Sequence, residues 1–317
     1  MRAPRFGRPC GGPAVVVAAL LASACAAPAS PPGATADGGD GGGHPLLGMV
    51  WDVEAERAIG PETLAERLDA ADVAILGEIH DNPVHHLRQA WAIERIAPAG
   101  VAFEMVPEAS ERGIAVVREQ GGAMSEVGPA IGWSQLGWPA WETYAPVFEA
   151  AGEAVVTGGA VPRGALVAAM QGGAGAAFGQ GAARAGLDEP LPEAERAELT
   201  REMVASHCDR LPEAMAATMI EAQRLRDARF AEAALRARRQ GGGQAVLVTG
   251  NGHARADRGV PVYLARLAPD LDVVALGQVE VRAGAEDAGA YDTPYDYVWF
   301  SEGVEGRPDP CAAFDRG

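Results

Sequence analysis

Residues 71–80 read Ala71-Asp72-Val73-Ala74-Ile75-Leu76-Gly77-Glu78-Ile79-His80. Four apolar side chains in succession, closing on glycine, describe a strand buried on both faces, because a half-exposed strand would alternate apolar with polar. The same pattern returns far downstream in Ala245-Val246-Leu247-Val248-Thr249-Gly250-Asn251-Gly252-His253. Two such strands, each followed by Gly-x-x-His, predict an α/β protein with a parallel sheet covered by helices on both faces. In that architecture the C-terminal strand ends line one edge, where ligands bind.

Working outward, Pro61 to Ala70 carries Leu64 and Leu68 at helical spacing. Val84 to Ala97 is amphipathic through Leu87, Trp91, Ile93 and Ile96 and stops at Pro98. Strands are expected at Met49 to Asp52, Val101 to Val106, Ala154 to Gly158, Asp272 to Val281 and Tyr297 to Phe300. Helices are expected at Pro107 to Glu119, Pro139 to Ala151, Pro162 to Met170 and Val260 to Ala268. From Gly172 the alternation breaks into Gly- and Ala-rich chain and then helical pattern only. A small helical subdomain is therefore expected over about 172–240, ending in a long helix from Pro212 to Gln240 whose polar face carries Gln223, Arg224, Arg226, Asp227 and Arg229.

The chain opens with Arg2, Arg5 and Arg8, an apolar run from Ala14 to Leu21, and Ala22-Ser23-Ala24-Cys25. This reads as an export signal over residues 1–25, its apolar run too short to span a bilayer. Small residues before Cys25 suit lipidation of that cysteine, and Ala22-Ser23-Ala24 also suits ordinary signal peptidase. Residues 26–45, rich in Ala, Pro, Gly and Asp, read as a tether, with the α/β domain at 46–317. The 317 residues are 48% hydrophobic, enough for a full core, with a formal charge of −17 in which every basic side chain is Arg. Such acidity argues against nucleic acid and against polybasic membrane docking, leaving a lipid anchor as the expected membrane contact. Cys208 and Cys311 would pair only if the fold brings them together, and nothing in their spacing decides it.

Chemistry is expected where the strands end: Glu78 and His80, Glu104 within Phe103-Glu104-Met105, Thr157 with Gly158 and Gly159, and Asn251 with His253. Two imidazoles and two carboxylates on one edge suit a divalent metal, water activation, or hydrogen bonds to a bulky ligand. His85 and His86 begin the helix after Asn82-Pro83 and are placed to face the same crevice, one of them expected to face solvent. His207-Cys208 matches neither a zinc pair nor a nucleophile and reads as packing. Tyr144 is most simply a core aromatic on an amphipathic helix.

Taken together, Leu76 to Pro83 with His85-His86, Ala102 to Met105, Trp141 to Tyr144, His207-Cys208, Ala222 to Ala228 and Thr249 to His253 resemble the ChaN-like family of iron-regulated, haem-binding bacterial lipoproteins. That family sits in a wider group with erythromycin esterase-like and Tiki/TraB-like proteins. The resemblance spans about Leu46 to Phe300. It implies a parallel α/β domain with a helical subdomain and non-covalent haem at or near the interface of a homodimer. It also implies a cell-envelope lipoprotein, anchored through Cys25, that serves iron or haem uptake or storage and is not itself an enzyme. A tyrosinate would ligate the iron, with Tyr144 as the choice and Tyr263, Tyr291, Tyr295 and Tyr297 as alternatives. Glu78, His80, His85, Glu104, Asn251 and His253 would line the cofactor site. The alternative is a metal-dependent hydrolase, with His80, Glu104 and His253 on the metal or water and Glu78 as general base.

Overall fold

The computed structural model describes residues 43–312; the expected signal, Cys25 and most of the tether lie outside them. Eight strands form one sheet: β1 (Val50–Asp52), β2 (Arg57–Ile59), β3 (Val73–Glu78), β4 (Gly100–Pro107), β5 (Val155–Ala160), β6 (Ala245–Gly250), β7 (Val273–Glu280) and β8 (Tyr297–Ser301). Their spatial order is β2-β1-β8-β7-β3-β6-β4-β5. The six from β8 to β5 are parallel, whereas β1 pairs antiparallel with both β2 and β8. The expected parallel sheet is thus present, with an antiparallel pair added at one edge. β2 has no sequence signal because it is three residues long and offers only Ala58 and Ile59 as apolar side chains.

β3 and β6 are buried at every position. Their side chains alternate between two cores, as strand geometry demands. Val73 and Ile75 of β3, with Ala245 and Leu247 of β6, join one cluster with Leu225, Phe230 and Leu264. Ala74 and Leu76, with Val246 and Val248, join the other with Leu64, Trp91, Phe103 and Phe148. Helices Pro61–Asp69, Pro83–Ile96 and Trp141–Ala150 supply the second cluster; Glu213–Gly241 and Val260–Leu267 supply the first.

Between β5 and β6 the chain makes helices Arg163–Gly172, Ala174–Phe178, Ala182–Ala185, Glu193–Ser206 and Glu213–Gly241. The C-terminal part of the 29-residue helix is sheet cover: Ala228, Ala231, Ala234 and Ala237 are fully buried. Their smallness permits close approach, and a Cβ on Gly100 would fall 2.4 Å from the Ala237 carbonyl oxygen. The polar face expected of this helix also turns inward, since Arg224 and Asp227 are buried.

After this excursion β6 enters the sheet between β3 and β4, and β7 lands on the far side of β3. Chain direction across the sheet therefore reverses beside β3 and β6, and the two Gly-x-x-His segments leave adjacent strand ends at that point. Cys208, just past the helix Glu193–Ser206, is disulfide-bonded to Cys311 with Cα atoms 5.6 Å apart. Among the described residues no helix is long and apolar enough to cross a membrane.

Candidate functional site at the strand ends

Each Gly-x-x-His segment uses its glycine to admit a side chain of the other. A Cβ on Gly77 would lie 2.5 Å from Asn251 Oδ1 and 2.8 Å from the Leu276 carbonyl, and one on Gly250 would lie 2.8 Å from His80 Nε2. Asn251 enters that space to pair with β7: its Nδ2 donates to the Gln278 carbonyl at 2.6 Å, and its Oδ1 accepts from the Gln278 N–H at 3.1 Å. The Asn251 amide is therefore spent on the backbone, and its expected place among the cofactor contacts is corrected to a structural one.

Glu78 ends β3 fully buried and gathers three partners. It accepts from the Tyr144 hydroxyl at 2.6 Å and pairs with His80 Nδ1 at 2.7 Å and His86 Nδ1 at 3.1 Å. Burial alone would raise its pKa; the hydrogen bonds and positive charge of the two histidines outweigh burial and hold it at about 2. Inside this cage Glu78 has no route to a substrate proton, so the general-base assignment is corrected to that of an orienting carboxylate.

Tyr144 lies at 0% exposure. Burial, then the neighbouring Glu78 charge and hydrogen bond, push its phenol above the ordinary range. That is the reverse of what a tyrosinate ligand requires, so Tyr144 is corrected to a donor that fixes Glu78. Of the other tyrosines, Tyr291 donates to the Ala285 carbonyl and accepts from the Arg282 N–H, Tyr295 donates to the Asn251 carbonyl, and Tyr297 begins β8 at the opposite end of the sheet. Tyr263 lines a separate cavity, its phenol pushed up to about 12 by burial.

The histidines divide sharply. His85 is fully buried; its Nδ1 accepts from the Ile79 N–H at 2.9 Å, which leaves Nε2 to donate to Ser301 Oγ at 2.7 Å. Burial, with help from Arg88, pushes its pKa down to about 3, so His85 is a neutral clamp between β3 and β8 and is corrected out of the ligand set. His86 is also fully buried, with Nε2 on the His80 carbonyl at 3.0 Å, so neither member of the pair faces solvent. His80 is different. Its side chain is 34% exposed, its Nδ1 is held by Glu78, and its Nε2 makes no hydrogen bond among the described residues. Burial lowers its pKa, but Glu78 and then Glu104 raise it further, for a net upward shift.

His253 is built the same way from the other strand. Its Nδ1 lies 2.5 Å from Asp227 Oδ1 and 3.0 Å from Gln223 Nε2, and its Nε2 is 3.6 Å from Glu104 Oε1. Burial lowers its pKa, and Glu104 and Asp227 on either side more than restore it. Glu104 is anchored through its other oxygen by Thr249 Oγ1 at 2.6 Å and the Gly250 N–H at 2.8 Å. Thr157 donates to the Ala233 carbonyl and is structural.

His253 and Glu104 floor a crevice of about 360 Å³ walled by Met105, Leu136, Trp138 and Phe230. The His80 ring meets Trp138 at 4.8 Å, and His253 meets Phe230 edge-on at 4.7 Å. Arg226 also reaches the crevice and makes no hydrogen bond or ion pair among the described residues. Within the same residues, no three His, Cys, Asp or Glu side chains are placed to share a metal ion. Sequence pattern places Asp227 and Arg226 on a polar helix face and in the segment Ala222 to Ala228 without assigning either a role, and it does not single out Trp138. A lone Asp among Ala228, Ala231 and Ala234 was the signal for the first, because an unpartnered carboxylate in an apolar stripe is costly.

The family model described as haem-binding uptake, Tiki superfamily, ChaN matches residues 64–264. Among solved structures, the chain is similar to one described as cofacial heme binding to ChaN of Campylobacter jejuni, with a TM-score of 0.62 and 18% identity over 80% of this chain and 97% of that one. A second match, the type III effector HopBA1, has a TM-score of 0.44 and 12% identity over 77% of this chain and 94% of that one. No curated protein sequence matches.

Proposed function

We propose that this chain, which belongs to the ChaN family of haem-binding uptake proteins in the Tiki superfamily, binds haem non-covalently in the strand-end crevice. The observation that carries the reading is the open Nε2 of His80. Ring nitrogens of His85, His86 and His253 all face polar partners, whereas His80 is oriented by a carboxylate through Nδ1 and leaves Nε2 available. Metal-ligating histidines take this form, since the carboxylate fixes the tautomer and raises ring basicity. Haem would supply a Lewis-acidic iron that an imidazole nitrogen can hold, and two propionates that take cations.

The residues present fit such a group. Met105, Leu136, Trp138 and Phe230 offer apolar and aromatic surface to a macrocycle. Arg226, unpaired by any carboxylate, and His253 offer positive charge to propionates. Glu78, Glu104, Asp227 and Tyr144 keep the two imidazoles in place.

Export, lipidation at Cys25, homodimerisation and a role in iron or haem uptake or storage belong to the same proposal. The Arg2 to Cys25 segment supports export, as does the Cys208–Cys311 disulfide, a bond that persists in oxidising compartments. The decisive experiment is a haemin titration followed by absorbance. Wild type should give a Soret band whose position and intensity change in His80→Ala and survive in Tyr144→Phe and Tyr263→Phe. An unchanged spectrum in His80→Ala, with loss in Tyr263→Phe, would move the iron to a different site and refute the assignment.

A further inference from the structure

The helix Glu193–Ser206 is fourteen residues long and buries none of them. Helices of this length are held by an apolar face packed on a core, so a helix with no buried residue lacks its ordinary support. Its apolar side chains are not spread into solvent either. Leu199 and Met203 stand half-buried over a cavity of about 620 Å³ whose opposite wall carries Ile220, Val262 and Tyr263. The helix is tied down at its edges: Glu202 pairs with both terminal nitrogens of Arg258, and the turn beyond Ser206 is fastened by Cys208–Cys311. It roofs a space without filling it.

Glu189 and Glu195 on the lining have no cation partner among the described residues, and of its other charged side chains all but Arg266 are paired. Arg224 is paired with Glu221, Arg255 with Asp257 and Asp292, Arg258 with Glu202, and Asp227 with His253. Arg266 has no carboxylate partner among the described residues; it donates to the Ala185 carbonyl at 3.2 Å and stands 5.8 Å from the centroid of Tyr263. Beside the apolar side chains of Leu199, Met203, Ile220 and Val262, Arg266 is the one guanidinium of the lining without a carboxylate partner among the described residues, which fits an apolar body carrying one carboxylate.

From this we infer that the chamber under the helix Glu193–Ser206 is a second ligand site, separate from the strand-end crevice, for an amphipathic monocarboxylate whose acid meets Arg266 and whose apolar body completes the packing of Leu199 and Met203. The volume lies within the range of small-molecule sites. Asp227 borders the chamber while its carboxylate holds His253 of the crevice, so the two sites share a wall.

The test uses the fluorescent fatty acid cis-parinaric acid and its methyl ester on the full chain, with haemin titrated in parallel. Wild type should bind the acid with one-to-one stoichiometry. Arg266→Gln should weaken the acid about tenfold, as loss of a charge-assisted pair does, and leave the ester unchanged. Val262→Trp, which fills the chamber, should abolish binding of both probes while its thermal unfolding and haemin titration remain as in wild type. Equal binding of acid and ester by wild type removes the carboxylate assignment. No binding by wild type, or binding that survives Val262→Trp, removes the site. Displacement of the acid by one equivalent of haemin, together with loss of haemin binding in Val262→Trp, would show the chamber to be the haem seat itself. Failure of haemin binding alone, with the parinaric acid results intact, counts against the haem reading only.

Discussion

The two motif glycines should respond to the same substitution in opposite ways. In Gly77→Ala the new methyl would sit 2.5 Å from Asn251 Oδ1, 2.8 Å from the backbone oxygen of Leu276 and 3.2 Å from the Ala254 Cβ. Leu276 belongs to β7, paired in register with β3, and cannot withdraw without breaking the ladder. Overpacking of this kind costs about 1–3 kcal/mol. If Asn251 is expelled, its two hydrogen bonds to Gln278 add about 1 kcal/mol each. A total near 3–5 kcal/mol corresponds to a fall in Tm of roughly 5–10 °C for a domain of this size. In Gly250→Ala the close atoms are His80 Nε2 at 2.8 Å and Cε1 at 3.2 Å, the far end of a partly exposed ring. That ring can swing, so the stability loss should stay under about 1 kcal/mol, while the open Nε2 is carried off its station. Denaturant unfolding and haemin absorbance on both variants decide the matter. Gly77→Ala should lose stability, and Gly250→Ala should lose the His80-dependent spectrum with its midpoint nearly intact. If Gly250→Ala unfolds as early as Gly77→Ala while keeping a wild-type haem spectrum, the reciprocal-glycine reasoning is wrong.

Other consequences are equally direct. Replacing Tyr144 with Phe strips a 2.6 Å hydrogen bond from the buried Glu78 carboxylate and should cost about 1–3 kcal/mol in unfolding free energy, with the iron spectrum retained; a neutral effect on stability would contradict its role. Glu78 is held at about 2 against an ordinary 4.5, so its contribution is present above pH 4.5 and fades as pH falls toward 2. Tm measured from pH 6 to pH 3 should drop steeply in wild type and less in Glu78→Gln. Because protonation of His80 competes with iron at Nε2, haemin affinity should fall on acidification through a pKa lying above the ordinary 6.5, and a flat profile would count against His80 as the ligand. Opening the Cys208–Cys311 bridge, which closes a separation of 103 residues, should destabilise the protein by about 2–5 kcal/mol, read as a shift in unfolding midpoint between oxidised and reduced samples.

Much of the architecture could be read from residue pattern alone. Continuous apolar runs mark β3 and β6 because strands buried on both faces have no polar side to show, and Pro98 and Pro162 bracket helices whose periodicity is plain. Placing Glu78, His80, Glu104 and His253 on one edge followed from the rule that parallel strands present their C-terminal ends together. Chain order hides the antiparallel edge of β1 and β2, because three-residue strands carry too few side chains to display a period.

What the sequence determined by itself was therefore which residue types reach the site. What each one does there was decided only by tertiary structure. His80, His85 and His86 lie within seven residues of one another, yet one ring nitrogen of His80 stands open while the other two side chains are fully enclosed. Tyr144 sits in a motif that suggested an iron ligand and proves to be a buried donor to Glu78. Asp227, which periodicity places only on the polar face of its helix, becomes the partner of His253. The physical reason is that hydrogen-bond partnership and burial depend on atoms brought together from distant parts of the chain. Periodicity reports only which face of its own helix or strand a residue occupies.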